Sequence, residues 1–179
     1  MTTYIAAPWR EEYVRGLDRP SRGCLFCRAA KVRDDAAVHV LFRGRHNFVL
    51  LNKYPYTVGH LLIAPARHAA SCEHASKPAT DEMADLLKMC LKALRRAYRP
   101  HGFNVGMNLG GSAGAGISGH YHLHVVCRWT GDSNFMPLVG RTRVFIEDLD
   151  TTYARLRPLF AAGIKPRRAA RRRPDPISR

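Results

Sequence analysis

Apolar and polar positions along the chain fall into two periods. Two apolar runs, Val38-His-Val-Leu-Phe42 and Phe48-Val-Leu-Leu51, flank the polar Arg43-Gly-Arg-His-Asn47, which predicts a β-hairpin with a glycine-containing turn. Leu61-Leu-Ile-Ala64 predicts a third strand that stops at Pro65. From Thr80 to Tyr98 the apolar residues Met83, Leu86, Leu87, Cys90, Leu91, Leu94 and Ala97 recur at intervals of three and four, the signature of an amphipathic helix. Thr80 serves as its expected N-cap and Asp81 and Glu82 suit its start. Arg95, Arg96 and Arg99 suit its end, and Pro100 and Gly102 stop it.

Period two returns in Phe103–Leu109 and again in His120–Val126, which predicts two more strands. They are joined by Gly110-Gly-Ser-Ala-Gly-Ala-Gly-Ile-Ser-Gly119, a connector with five glycines. Leu149, Tyr153, Leu156 and Leu159 place a last helix within residues 147–160. Residues 1–22, punctuated by Pro8, Gly16 and Pro20, read as an N-terminal arm of little regular structure leading into Gly23-Cys24-Leu25-Phe26-Cys27. Residues 161–179 carry the run Arg167-Arg-Ala-Ala-Arg-Arg-Arg173 and read as a basic disordered tail. One domain over 23–160 lies between them.

Composition narrows the class. A chain of 179 residues with 46% hydrophobic and 24% charged positions fits one globular domain with a core of its own. Its apolar runs fall short of the roughly 18 residues of a membrane span, and its start lacks the pattern of a secretory leader, so the expected compartment is the cytoplasm. Five cysteines, two of them close together, argue against a disulfide framework and for reduced thiols. The formal charge of +15 favours anionic partners, and residues 165–179 supply +6 of it. That tail could hold nucleic acid through phosphates alone, but it lacks interleaved aromatics for base stacking, so nucleic acid is not the favoured partner.

In a strand, side chains two apart share a face, so His120, His122 and His124 line up while Tyr121, Leu123 and Val125 face the core. Such a row is a metal clamp, a set of surface imidazoles or a catalytic array. The neighbouring glycine-rich connector, whose backbone N–H groups can approach phosphate oxygens, favours phosphorus chemistry. A neutral imidazole is a competent nucleophile toward phosphorus.

Three blocks, Asn52-Lys-Tyr-Pro-Tyr-Thr-Val-Gly-His60-Leu-Leu-Ile-Ala-Pro65, Gly102-Phe-Asn-Val-Gly-Met-Asn108-Leu-Gly110 and His120-Tyr-His-Leu-His-Val-Val126, together resemble the histidine-triad (HIT) family. Arg128-Trp-Thr-Gly-Asp-Ser-Asn-Phe-Met136 is similar to its bacterial diadenosine tetraphosphate phosphorylase and hydrolase branch. The resemblance implies an α+β fold with about five antiparallel strands, one long helix packed on them and a C-terminal helix, usually as a homodimer. It implies that His122 attacks an α-phosphate to form a nucleotidyl-histidine, with His124 at the phosphates. Asn52 would bind the ribose, and Asn108, Ala115, Gly116, Ile117 and Ser118 the phosphates. The substrate would be an adenine nucleotide or dinucleoside polyphosphate, with the adenine against Phe26, Phe48 and Leu50.

The chain departs from the family's pattern at Gly116, where Gln or Ser is common, which leaves the leaving group open. It departs again at Cys127, where the bacterial branch usually has proline. Alternative readings are hydrolysis of adenosine phosphoramidates or adenylated nucleic acid, and non-catalytic binding of nucleotide or nucleic acid.

Cys24-Leu-Phe-Cys27 alone is a redox pair, two buried thiols or half a zinc site. By the same resemblance His68 and His120 complete it, giving a structural zinc on Cys24, Cys27, His68 and His120. His60 reads as a buried, hydrogen-bonded histidine at a strand start, and His39, His46, His74 and His101 as surface or turn residues.

Overall fold

The computed structural model describes residues 23–132 and 147–161. The expected arm over residues 1–22, and the basic tail beyond Ala161, lie outside these residues.

Five strands form one antiparallel sheet: β1 (Val40–Arg43), β2 (Asn47–Leu51), β3 (Leu61–Pro65), β4 (Gly102–Gly106) and β5 (Leu123–Arg128), in the order β1-β2-β3-β5-β4. Among the described residues, three α-helices accompany them: α1 (Leu25–Lys31), the long α2 (Lys77–Tyr98) and α3 (Leu149–Ala161). The fold is the expected α+β type, with a long helix on an antiparallel sheet and a C-terminal helix. No described helix is long and apolar enough to cross a membrane.

The strands' period of two divides the core. Leu41, Val49, Leu51, Leu61, Ile63, Tyr121, Leu123 and Val125 bury one face of the sheet under Met83, Leu86, Cys90 and Leu94 of α2 and Leu156 and Phe160 of α3. Val40, Phe48, Leu50, Leu62 and Ala64 take the opposite face and pack on Phe26 and Ala29 of α1. His124 stands opposite Leu62 in the ladder, on the α1 face.

Several boundaries differ from expectation for identifiable reasons. Helix α2 starts one turn early, after Ser76, with Pro78 in its first turn, where the missing N–H costs nothing. Thr80 is therefore inside the helix, and its Oγ1 donates to Lys77 O at 2.8 Å instead of capping. Glu82 serves the β1–β2 turn, accepting the backbone N–H groups of Arg45, His46 and Asn47 at 2.7–2.8 Å. Strand β4 ends at Gly106, opposite His124, so Met107–Leu109 leave the ladder. Helix α1, which carries Cys27, was not expected from the sequence.

Candidate functional site

The histidine row occupies the entry to β5, whose ladder begins only at Leu123. The preceding residues are held by other bonds: Tyr121 N donates to Ala69 O at 2.8 Å, and His120 Nε2 donates to Pro65 O at 2.9 Å. Tyr121 sits in the α2-side core, so His120 and His122 turn to the opposite side, as the alternation predicts.

The three imidazoles have different surroundings. His122 is 7% exposed and its Nδ1 lies 3.0 Å from its neighbour's backbone carbonyl, His120 O. A carbonyl can only accept, so Nδ1 carries the proton and Nε2 keeps its lone pair. Burial lowers the His122 pKa, against the opposing effect of the bond to His120 O, and so favours the neutral ring. Phe26 packs against it, with ring centroids 4.7 Å apart.

His124 is set by a relay. The backbone N–H of Tyr56 donates to His60 Nδ1 at 3.1 Å, and Asn52 Nδ2 lies 3.3 Å from the same atom. With Nδ1 accepting, the neutral His60 ring carries its proton on Nε2, which lies 3.0 Å from His124 Nδ1. His124 thus accepts at Nδ1 and carries its own proton on Nε2. The Asn52 amide is oriented independently, because its Oδ1 accepts from Tyr54 N at 3.0 Å. His60 is buried and hydrogen-bonded, as expected from the sequence, yet it also touches the site, a role that the sequence reading missed. Its spacing of eight residues from Asn52 was the available signal.

A cavity of about 360 Å³ opens beside this pair, within the size range of small-molecule sites. His122, His124, Asn52, Asn108, Gly116 and Ile117 line it, whereas Ala115 and Ser118 do not. Phe26 and Leu50 form apolar wall. Phe48, expected beside them, is as buried as Phe26 but does not line the cavity. Asn108 Nδ2 reaches Gly114 O at 3.5 Å across the mouth of the connector. His39 and Leu149, which carried no functional expectation, also line the cavity.

On the far side of His122, Cys24, Cys27, His68 and His120 converge so that their donor atoms all lie within 4.8 Å of one another. Cys24 Sγ is 3.3 Å from His120 Nδ1, Cys27 Sγ is 3.3 Å from His68 Nδ1, and the two Nδ1 atoms are 3.2 Å apart. Zinc bonds of about 2.0–2.3 Å in a tetrahedron imply donor separations of roughly 3.3–3.8 Å, so this set fits the ion. The bond from His120 Nε2 to Pro65 O leaves Nδ1 as the ligand atom, the usual outer support of a metal-bound imidazole. Burial pushes the His120 pKa down, which favours the neutral, ligating form.

The HIT domain model matches residues 33–131. An AP-4-A phosphorylase from Mycobacterium tuberculosis is 39% identical over 113 residues, which make up 63% of this chain and 58% of that protein. The chain thus aligns with little more than half the length of that relative. The crystal structure of a Zn-bound histidine triad family protein from Mycobacterium smegmatis superposes with a TM-score of 0.63 at 25% identity, covering 78% of this chain and 94% of that one. A hypothetical histidine triad nucleotide-binding protein from Sulfolobus tokodaii shares the fold, with a TM-score of 0.61 at 23% identity over 79% of this chain and 91% of that one.

Proposed function

The chain belongs to the HIT domain family, and we propose that it is a nucleotide hydrolase or transferase that cleaves a dinucleoside polyphosphate at an α-phosphate through His122. The observation that carries the proposal is the 3.0 Å bond from His122 Nδ1–H to His120 O, which leaves Nε2 as the nucleophilic atom of a neutral ring beside the cavity. Similarity to an AP-4-A phosphorylase supports diadenosine tetraphosphate as the substrate class.

The reaction follows as two displacements. His122 Nε2 attacks the α-phosphorus; its bond to the bridging oxygen breaks, and the remaining polyphosphate leaves with that oxygen. Positive charge on the phosphorylated imidazole is eased by His120 O at Nδ1. Water or inorganic phosphate then attacks the same phosphorus, the histidine–phosphorus bond breaks, Nε2 regains its lone pair and, where water attacks, the proton released by that water passes to solvent. His124, its Nε2–H fixed by the relay through His60, donates to a phosphoryl oxygen as negative charge builds there. Asn52 binds the ribose, and Asn108, with the connector around Gly116 and Ile117, takes the phosphates. Gly116 contributes only backbone, which leaves room for a bulky leaving group.

We assign a structural zinc to Cys24, Cys27, His68 and His120, on the donor spacing above and the likeness to a zinc-bound family member. Four protein donors leave no open position, so the ion would tie α1 and the β3 exit to the histidine row without touching substrate.

Product analysis tests the proposal. Diadenosine tetraphosphate should yield ATP with AMP in plain buffer if water resolves the intermediate, or ATP with ADP when phosphate is supplied if phosphate does. His122→Ala should abolish both. Undiminished turnover in that variant would refute it.

A further inference from the structure

His39 stands in the cavity wall at the end of the 35–40 turn, where Val40 N donates to Asp35 O at 2.8 Å. Its φ of 50° is in the left-handed region, which histidine enters more readily than most residues and which this turn requires. The backbone is locked there, since His39 N donates to Ala36 O at 3.1 Å and Leu51 N donates to His39 O at 3.0 Å. The ring is held from a second element: its Nε2 lies 2.8 Å from Asp150 Oδ1 in the first turn of α3, and Tyr153 meets it edge-on at 5.8 Å.

The cross-strand row His124–Leu62–Leu50–Val40 crosses the sheet here, and its first three residues line the cavity. Three strand spacings of about 4.8 Å separate its ends. His39 adjoins Val40, so it marks the end of the cavity away from the phosphate chemistry. A nucleotide anchored by its α-phosphate at His122 and its ribose at Asn52 would extend its base in that direction.

We infer that His39 reads the edge of the nucleobase and, through Asp150, selects a base presenting an amino group over one presenting a carbonyl. An ionised carboxylate can only accept, so the neutral ring held by Asp150 carries its proton on Nε2. Nδ1 is then an acceptor, matched to the 6-amino group of adenine and opposed to the 6-oxo group of hypoxanthine. The inference rests on the cavity being a nucleotide site. It gives base selectivity to a pair that would otherwise only tie α3 to the sheet.

Calorimetric titration of the full chain with AMP and with IMP separates these roles. AMP should bind about tenfold more tightly than IMP, as expected where a polar pair is satisfied by one ligand and not the other. In Asp150→Asn the amide can donate to Nε2 and let the proton move to Nδ1, so the ratio should fall to about twofold or less. His39→Leu should flatten the ratio likewise. Asp150 is 94% exposed, so its substitution leaves the fold intact even if the leucine variant does not fold. A wild-type ratio near one, or a tenfold ratio surviving in Asp150→Asn, would overturn the inference while leaving the nucleotide reading in place. Failure of the wild type to bind either nucleotide would remove both.

Discussion

Alanine in place of His60 tests whether His124 is set from behind. His60 is 1% exposed and spends both ring nitrogens, Nδ1 accepting from Tyr56 N and Nε2 donating to His124 Nδ1. Alanine removes the relay, frees the His124 proton to sit on either nitrogen and leaves the Tyr56 N–H short of its acceptor. Losing one neutral hydrogen bond costs about 1 kcal/mol, and losing a donor aimed at developing charge costs about 3 kcal/mol. These bracket a fall in kcat of roughly 5- to 160-fold on diadenosine tetraphosphate, with KM changed far less. Stability should fall by about 1–3 kcal/mol, seen as a Tm lower by several degrees. Glutamine offers an acceptor and a donor on one side chain, so His60→Gln should recover part of kcat. Turnover within twofold of wild type in His60→Ala, alongside the expected loss of Tm, would show that His60 only packs and that the relay sets nothing.

Three further outcomes follow from the geometry. Gly59→Ala should destabilise by about 2–4 kcal/mol in urea unfolding, because its φ is +70° and the new Cβ would come within 2.9 Å of Tyr98 and 3.0 Å of Leu94; an unchanged midpoint would contradict the close approach. Burial opposes ionisation of Glu82, but the bonds from His46, Arg45 and Asn47 outweigh it and hold its pKa below the usual carboxylate range. A depressed folded pKa contributes stability above the unfolded pKa that is lost as pH falls through the folded one, so Glu82→Gln should cost about 1–3 kcal/mol at pH 7 and progressively less below about pH 4; a penalty constant with pH would refute this. Cys24→Ser and His68→Ala should each lose the bound zinc by elemental analysis, and full metal content in both would eliminate the proposed ligand set.

Much of this was legible in the sequence because short-range periodicity carried it. The alternation around Tyr121, Leu123 and Val125 located the core side of the histidine row, and the spacing of Met83, Leu86, Cys90 and Leu94 located the face of α2. What the sequence hid was set by contacts between distant segments. Glu82 looked like a helix-start acid, yet its partners are three amides of a turn 35 to 37 residues away. His60 reads identically as core or as relay until His124 is placed against it. His39 and Asp150 are separated by 111 residues and share no motif. Phe48 and Phe26 are equally apolar and equally buried, and only the placement of α1 brings the second against His122.

In the proposed reaction His122 Nε2 carries the nucleotidyl group between displacements. Incubation of the wild-type chain with diadenosine tetraphosphate, followed by rapid denaturation, intact-mass measurement and peptide mapping, reads this directly. One AMP adduct per chain is expected, mapped to His122 and absent from His122→Ala. An adduct on any other residue, or turnover in His122→Ala matching that of wild type, would contradict it.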